Sequence, residues 1–410
     1  MSELTEKRTI KILIFITWIT YFSTYLGRLN FSASINEISM ELQISKGSIG
    51  AIASAFFVAY GTGQIISGWL GDHLPAKFMV FCGVAGAALM NLAFAYQAAP
   101  SGMKIIWFMN GIFQSMVWAP MAKWISDRVD RECCAKICLL LSTTSPVGML
   151  CAYLMSAVCI RYYDWRKIFL SAAGMMGGIA VLWLVFSFRL EKMGRPVTEK
   201  RESMEKEKDN GLWIAAVQSG LVIIAVSACF HGILKDGIST WVPVYLAENC
   251  SVSSVGAIIL TMVLPVINLL GVYWADWWNQ NCFHTEMKTV SAFFCITAAA
   301  VVGMSLFGKQ SAVISIVFFA VITTSMTGIN TLLVSLIPLY FKKAGCISTV
   351  IGVLNAATYG GTALGSWLFG VIAEKCGWGI LRGIWFALGT AGAGISWMIW
   401  KKWHRFRRKS

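Results

Sequence analysis

Gly68-Trp69-Leu70-Gly71-Asp72-His73-Leu74-Pro75-Ala76-Lys77 ends one long apolar run with a short polar turn and opens the next. Gly271-Val272-Tyr273-Trp274-Ala275-Asp276 closes another such run, its aspartate 204 positions after Asp72, with Lys288 further on. Nearly the same offset links two cations set deep in apolar sequence. Arg28 lies in Thr20-Tyr21-Phe22-Ser23-Thr24-Tyr25-Leu26-Gly27-Arg28-Leu29-Asn30. Lys235, 207 positions later, lies in Ala228-Cys229-Phe230-His231-Gly232-Ile233-Leu234-Lys235-Asp236-Gly237. A common offset across unrelated features points to a duplicated unit, and such repeats are common in membrane carriers.

Composition agrees. Of 410 residues, 57% are hydrophobic and 13% charged, and the mean hydropathy is +0.66, whereas a soluble domain carries about 25% charged residues. Apolar runs of the roughly 18 or more residues that a bilayer core demands recur throughout, and punctuation between them predicts twelve helices. These span roughly 10–36, 47–70, 77–98, 103–125, 137–160, 167–188, 212–246, 253–276, 287–306, 310–339, 347–372 and 379–400. Continuous apolar runs exclude a spanning β-barrel, whose strands are short and alternating. The mixed-charge stretch from Arg189 to Asn210 reads as a linker. The expectation is an all-α membrane protein: a six-helix bundle over 1–188, a cytoplasmic linker over 189–211, and a second bundle over 212–410 with a basic tail. The first apolar run is too long for a signal peptide and no cleavage site follows it, so it reads as a permanent helix.

The net charge of +14 is a topology signal and not one for nucleic acid. Loops assigned alternately give 23 Lys/Arg on the side holding both termini and 8 on the other, with Arg28, Lys123 and Lys235 inside helices. The positive-inside rule then places both termini in the cytoplasm of a multi-pass cell-membrane protein. The tail Lys401-Lys402-Trp403-His404-Arg405-Phe406-Arg407-Arg408-Lys409 suits contact with anionic lipid. The cysteines sit mostly in apolar segments and no zinc or disulfide spacing is present. No phosphate-binding loop or Ser/His/Asp set occurs, so neither an enzyme nor a bound cofactor or metal is expected.

A cation at the centre of a lipid-facing helix costs about 2.5–3.5 kcal/mol on insertion scales. Arg28 and Lys235 are therefore expected to face water or a counter-charge, and matched placement suggests an anion site. Arg offers a fork suited to phosphate or carboxylate, and Lys a mobile point charge. The alternatives are a snorkelling Arg28 and a Lys235 neutralised by Asp236. Against the second, adjacent helical residues point about 100° apart, so Asp236 is not expected on the same face. Tyr21, Tyr25 and Arg28 recur at i, i+4 and i+7, one stripe of the first helix.

Longer stretches carry a family likeness. Gly68 to Lys77 resembles the Gly-x-x-x-Asp-(Arg/His)-x-x-x-(Lys/Arg) loop of the major facilitator superfamily. Tyr21, Tyr25, Arg28, Asn30 and Phe31 stand at the spacing of its organophosphate:phosphate antiporter family. Asn110-Gly111-Ile112-Phe113-Gln114-Ser115-Met116-Val117-Trp118-Ala119-Pro120 is similar to that family's NGxxQGxxWPP, and Gly237-Ile238-Ser239-Thr240-Trp241-Val242-Pro243-Val244-Tyr245-Leu246 to its GIxxWxPxYL. Pro338-Leu339-Tyr340-Phe341-Lys342-Lys343-Ala344-Gly345, with Gly352, Asn355 and Tyr359-Gly360-Gly361, extends the likeness along nearly the whole chain. Two positions depart from it. Lys235 stands where glycerol-phosphate members have arginine, and Ser145 where they have a histidine.

The resemblance implies a carrier whose substrate site uses Arg28, Lys235, Tyr25, Tyr21, Tyr359, Asn355 and Ser145, with Trp118 and Trp241 as walls. It implies gate and loop roles for Asp72, Lys77, Asp127, Arg131 and Asp276. The expected function is exchange of a small phosphorylated metabolite for inorganic phosphate by a monomer in the lipid bilayer. Alternatives are proton- or sodium-coupled symport of a carboxylate such as a sugar acid, and a receptor that senses a phosphosugar.

Overall fold

The computed structural model describes residues 3–129, 133, 136–137, 140–141, 143–193, 217–308, 311–341 and 347–408. Among these residues all regular structure is helical. The helices are α1 (Glu3–Leu42), α2 (Lys46–His73), α3 (Ala76–Tyr96), α4 (Pro100–Ser115), α5 (Trp118–Ser126), α6 (Thr144–Tyr162) and α7 (Trp165–Met193), then α8 (Leu221–Gly232), α9 (Ile238–Asn249), α10 (Ser254–Thr261), α11 (Leu264–Trp278), α12 (Glu286–Phe307), α13 (Ala312–Asn330), α14 (Ile347–Lys375) and α15 (Gly377–Arg407). Among the described residues, ten segments are long and apolar enough to cross a membrane. Lipid offers no partner for backbone amides, so each such crossing must close its own hydrogen bonds.

Among the described residues four expected helices are interrupted; proline lies near three of the breaks, while the fourth, in 212–246, is a π turn at Ile233–Gly237, and Pro243 sits inside the continuous α9. Proline has no N–H for the carbonyl four residues earlier and crowds it. Pro120 thus leaves the carbonyl of Met116 without its helical donor, and α4 ends one residue before, at Ser115, with α5 resuming at Trp118. Pro265 does the same to Thr261, the last residue of α10. Pro338 lies four residues after Val334, inside a π-helical stretch at Thr331–Leu336 that follows α13. Serines cap where the sequence allows, Ser253 accepting from the Gly256 amide at 3.2 Å and Ser311 from that of Val313 at 3.2 Å.

The chain divides into two compact units, Met1–Leu42 with Val58–Ser203 and Gln43–Phe57 with Met204–Ser410. In the first, α1 packs on α6 and α7, and α3 on α4 and α7. Leu13, Ile16, Val80, Val84, Met176 and Trp183 form its buried apolar centre, and the indole of Trp183 donates to the Lys77 carbonyl at 2.9 Å. In the second, α8 packs on α14, α11 on α13, and α12 on α13 and α15. The opening turns of α2 belong to this unit. Lys46 Nζ is 2.6 Å from Glu248 Oε2, the Gly47 amide donates to Glu374 at 2.8 Å, and a methyl on Gly50 would fall 2.7 Å from the Ser366 carbonyl.

Candidate functional site

The stripe on α1 is as the period predicts, and it carries the candidate residues of the first unit. The Arg28 guanidinium carbon lies 5.5 Å from the centroid of the Tyr25 ring, on the same helix, and 4.5 Å from that of Tyr60 on α2. Both distances lie within cation–π range. Tyr21 extends the aromatic wall, 5.7 Å from Tyr25 and 4.8 Å from Trp118 between ring centroids. Gly148 of α6 admits the base of Tyr25, since a methyl there would sit 2.7 Å from the Tyr25 Cβ. Ser145 is half-buried on the first turn of α6, one turn before that glycine.

Behind Arg28 is a buried amide cluster. Arg28 Nε donates to Gln114 Oε1 at 3.3 Å. The carbonyl of Gly27 accepts from Gln114 Nε2 at 2.9 Å, Asn110 Nδ2 at 2.9 Å and Asn91 Nδ2 at 3.3 Å. Asn30 Nδ2 donates to Asn91 Oδ1 at 2.7 Å, and Gln114 Nε2 to Asn110 Oδ1 at 3.2 Å. Asn30, Asn91, Asn110 and Gln114 are all buried. A buried amide left unmatched is costly, so such a network is stable only when it closes on itself. Here it closes on the α1 backbone at the residue before Arg28, fixing where that side chain leaves the helix. Gln114 and the two tyrosine rings thus hold the guanidinium in a fixed orientation.

The second unit presents Lys235 on a π-helical turn, Ile233–Gly237, inserted between α8 and α9. Its ammonium lies 3.6 Å from Asp236 Oδ1, each side chain a little over a quarter exposed. The 100° argument therefore fails here, because the wider π turn brings successive side chains closer in direction. Such turns are frequent at functional positions. The site is held from behind by α14: the Thr362 hydroxyl donates to the Gly232 carbonyl at 3.2 Å, and Gly365 lets the Ile233 backbone approach, a methyl there falling 3.1 Å from Ile233 Cα. The Ser239 and Thr240 hydroxyls take the carbonyls of Lys235 and Asp236, each at 2.7 Å. Asn355 and Tyr359 are partly exposed one turn apart on α14. His231, one turn before Lys235, is fully buried, a packed residue.

Trp241, expected as a wall, is completely buried, and its indole donates to the Ser366 carbonyl at 3.0 Å; its bulk fills the space over Gly370. Of the predicted gate residues, Lys77 rests its ammonium 4.2 Å from the Phe188 ring, Asp127 is exposed at the end of α5, and Asp276 accepts from Gln280 at 2.8 Å. The side chain of Asp72 and the whole of Arg131 lie outside the described residues. Sequence reasoning missed Tyr60 and the four-amide cluster. It also missed Glu286, a fully buried carboxylate that accepts from Tyr340 and Trp403 at 2.8 Å each and lies 3.4 Å from Arg407.

Comparison with known proteins adds family context. The Major Facilitator Superfamily matches residues 17–366. A membrane sensor protein, UhpC, of Escherichia coli K12 is 21% identical over 68% of this chain, which spans 66% of the sensor's length. A glycerol-3-phosphate transporter of Bacillus subtilis is 23% identical over 90% of this chain and 88% of its own. A peptide transporter of the POT type (E310Q mutant), 12% identical, superposes with a TM-score of 0.77 over 96% of this chain and 95% of that one, a likeness of fold alone.

Proposed function

This chain belongs to the Major Facilitator Superfamily, and from that premise we propose that it carries a small phosphorylated metabolite across the cell membrane in exchange for inorganic phosphate. The observation that carries the reading is Arg28, a guanidinium braced by Gln114 and flanked by the rings of Tyr25 and Tyr60. A fork so held suits a phosphoryl group, which takes parallel N–H bonds. Tyr21 and Ser145 are hydroxyl groups of the same unit for the remaining oxygens, and in the other unit Lys235, with Asn355 and Tyr359, is a second candidate anion-binding group. Trp118 offers an apolar face to the carbon skeleton. The substrate named for the glycerol-3-phosphate transporter supports this class of ligand.

Exchange follows from charge. Arg28 and Lys235 both carry positive charge inside membrane segments, and a bound phosphate would make charge-assisted bonds that the empty carrier lacks, so the loaded carrier changes state more readily than the empty one. The two bundles alternate access by rigid-body rocking, with both termini cytoplasmic and the protein acting as a monomer. The test is proteoliposomes loaded with labelled inorganic phosphate. Efflux should accelerate strongly on adding external phosphate or glycerol 3-phosphate; equal efflux into anion-free buffer would make it a uniporter.

A second reading, a receptor, is favoured by the likeness to the membrane sensor. It expects saturable binding of a phosphate ester without flux in the same vesicles.

A further inference from the structure

The proposed site contains an acid that the phosphate reading does not use. Asp236 is placed by the π turn beside Lys235, 3.6 Å from its ammonium and exposed to about the same degree. Three hydroxyl-to-backbone bonds stabilise that turn, from Thr362, Ser239 and Thr240, so the geometry is built rather than incidental. No such pairing is needed for folding of a helix, and a carboxylate inside a membrane segment is expensive. Its position beside the proposed anion-binding ammonium gives it a use.

We propose that Asp236 is an internal counter-anion that Lys235 holds when no substrate is bound, and that it thereby sets how tightly an anion must bind. Any ligand must displace the carboxylate from the ammonium, a cost common to all anions. A monocarboxylate brings a single charge with which to meet it, whereas a phosphate monoester carries between about −1.5 and −2 at neutral pH. The same competition assists release, because the carboxylate is at hand to retake the lysine as the product leaves. Asp236 thus sets both affinity and turnover. The inference rests on the reading of Lys235 as an anion-binding group.

The test measures, in proteoliposomes loaded with phosphate, how well external glycerol 3-phosphate and external glycerate compete for phosphate uptake. Asp236→Asn keeps the shape and removes the charge. Both anions should compete about tenfold more tightly, a modest figure because Lys235 and Asp236 both reach solvent, with their ratio little changed because the displaced carboxylate is a common cost. KM for phosphate should fall while kcat also falls, since release loses its competitor. Asp236→Glu should restore the wild-type affinities. Unchanged affinities with transport intact overturn the proposal. So does failure of both Asp236→Asn and Asp236→Ser to insert, which would assign Asp236 to the fold. Lys235→Gln run in parallel separates the two ideas: normal phosphate transport in that variant sinks the underlying site, whatever Asp236 does.

Discussion

Gln114 grips Arg28 from two sides. Its carbonyl oxygen accepts from Arg28 Nε at 3.3 Å, and its amide nitrogen donates at 2.9 Å to the carbonyl of Gly27, the residue immediately before. One side chain from α4 therefore fixes both the backbone from which the arginine springs and the plane of its fork. Asn110 and Asn91 donate to the same carbonyl, so the backbone keeps partners if Gln114 is lost, whereas the guanidinium loses the amide that orients it.

That division yields a graded series. Arg28→Ala should abolish anion transport while leaving insertion intact, because it removes an intramembrane charge. Gln114→Ala should keep transport but raise KM about tenfold, the loss of one charge-assisted bond worth about 1.5–3 kcal/mol less partial compensation by water. Its melting temperature should fall by several degrees, because Asn110 Oδ1 loses its donor and a small cavity opens. Uptake of labelled phosphate and thermal unfolding in detergent, measured on the same preparations, check both halves. A Gln114→Ala variant as dead as Arg28→Ala, yet fully folded, would mean the amide itself touches the anion.

Tyr60 separates ring from hydroxyl. Its ring centroid lies 4.5 Å from the guanidinium carbon, and a partly exposed cation–π contact is worth about 0.5–2 kcal/mol. Tyr60→Phe retains that contact, so substrate affinity should stay within about twofold of wild type by the same figure. Tyr60→Leu removes it and should weaken affinity by roughly three- to thirtyfold. If the phenylalanine variant is as weak as the leucine one, the hydroxyl is the active part.

Glu286 concerns the fold. Its carboxylate is fully buried and takes the Tyr340 hydroxyl and Trp403 indole, with Arg407 3.4 Å away, 30% exposed. It joins the start of α12, the stretch after α13 and the end of α15. Glu286→Ala would leave a buried indole and a half-buried hydroxyl without an acceptor, at about 1–3 kcal/mol for the indole and less for the hydroxyl. The unfolding temperature should drop clearly, and Arg407→Gln should drop it far less, because that group is partly solvated. Substrate affinity of the folded fraction should be unchanged. An equal drop from both variants would put the ion pair, not the buried hydrogen bonds, in charge.

How much of this the sequence could tell depends on what kind of fact each residue is. The apolar segments, the all-helical class and the Tyr21–Tyr25–Arg28 stripe follow from composition and from a period of 3.6, both local properties. The breaks at Pro120 and Pro265 were also legible, although the sequence reading drew helices through them. Tyr60 and Asn91 were not, because each meets Arg28 or Gly27 from another helix and nothing in its own neighbourhood marks it; Gln114 stands in the Asn110 to Pro120 motif, but its grip on Arg28 is invisible there. Trp241 illustrates the converse: its motif is visible, but only packing over Gly370 reveals that it is filled in on all sides. The π turn at Lys235 is a backbone choice with no side-chain signature, which is why Asp236 was expected on another face.

Gly360 and Gly361 make the sharpest case, being adjacent and alike in sequence. A methyl on Gly360 would meet nothing within 4 Å, while one on Gly361 would collide with the Cys229 carbonyl on α8. The contact is reciprocal, since Gly232 faces the Thr358 carbonyl of α14 equally closely, and these paired glycines let two backbones touch as small residues do in membrane helix packing. The π turn bearing Lys235 begins directly after Gly232. Gly361→Ala should therefore push α8 away, shift Lys235 and Asp236, and lower both stability and anion affinity, the overpacking alone costing about 1–3 kcal/mol. Gly360→Ala should be silent or slightly stabilising, because alanine is the better helix former by roughly 1 kcal/mol. Matched thermal unfolding and phosphate uptake of the two variants decide it. Equal behaviour of the pair would mean that the close approach of α8 and α14 does not position the lysine.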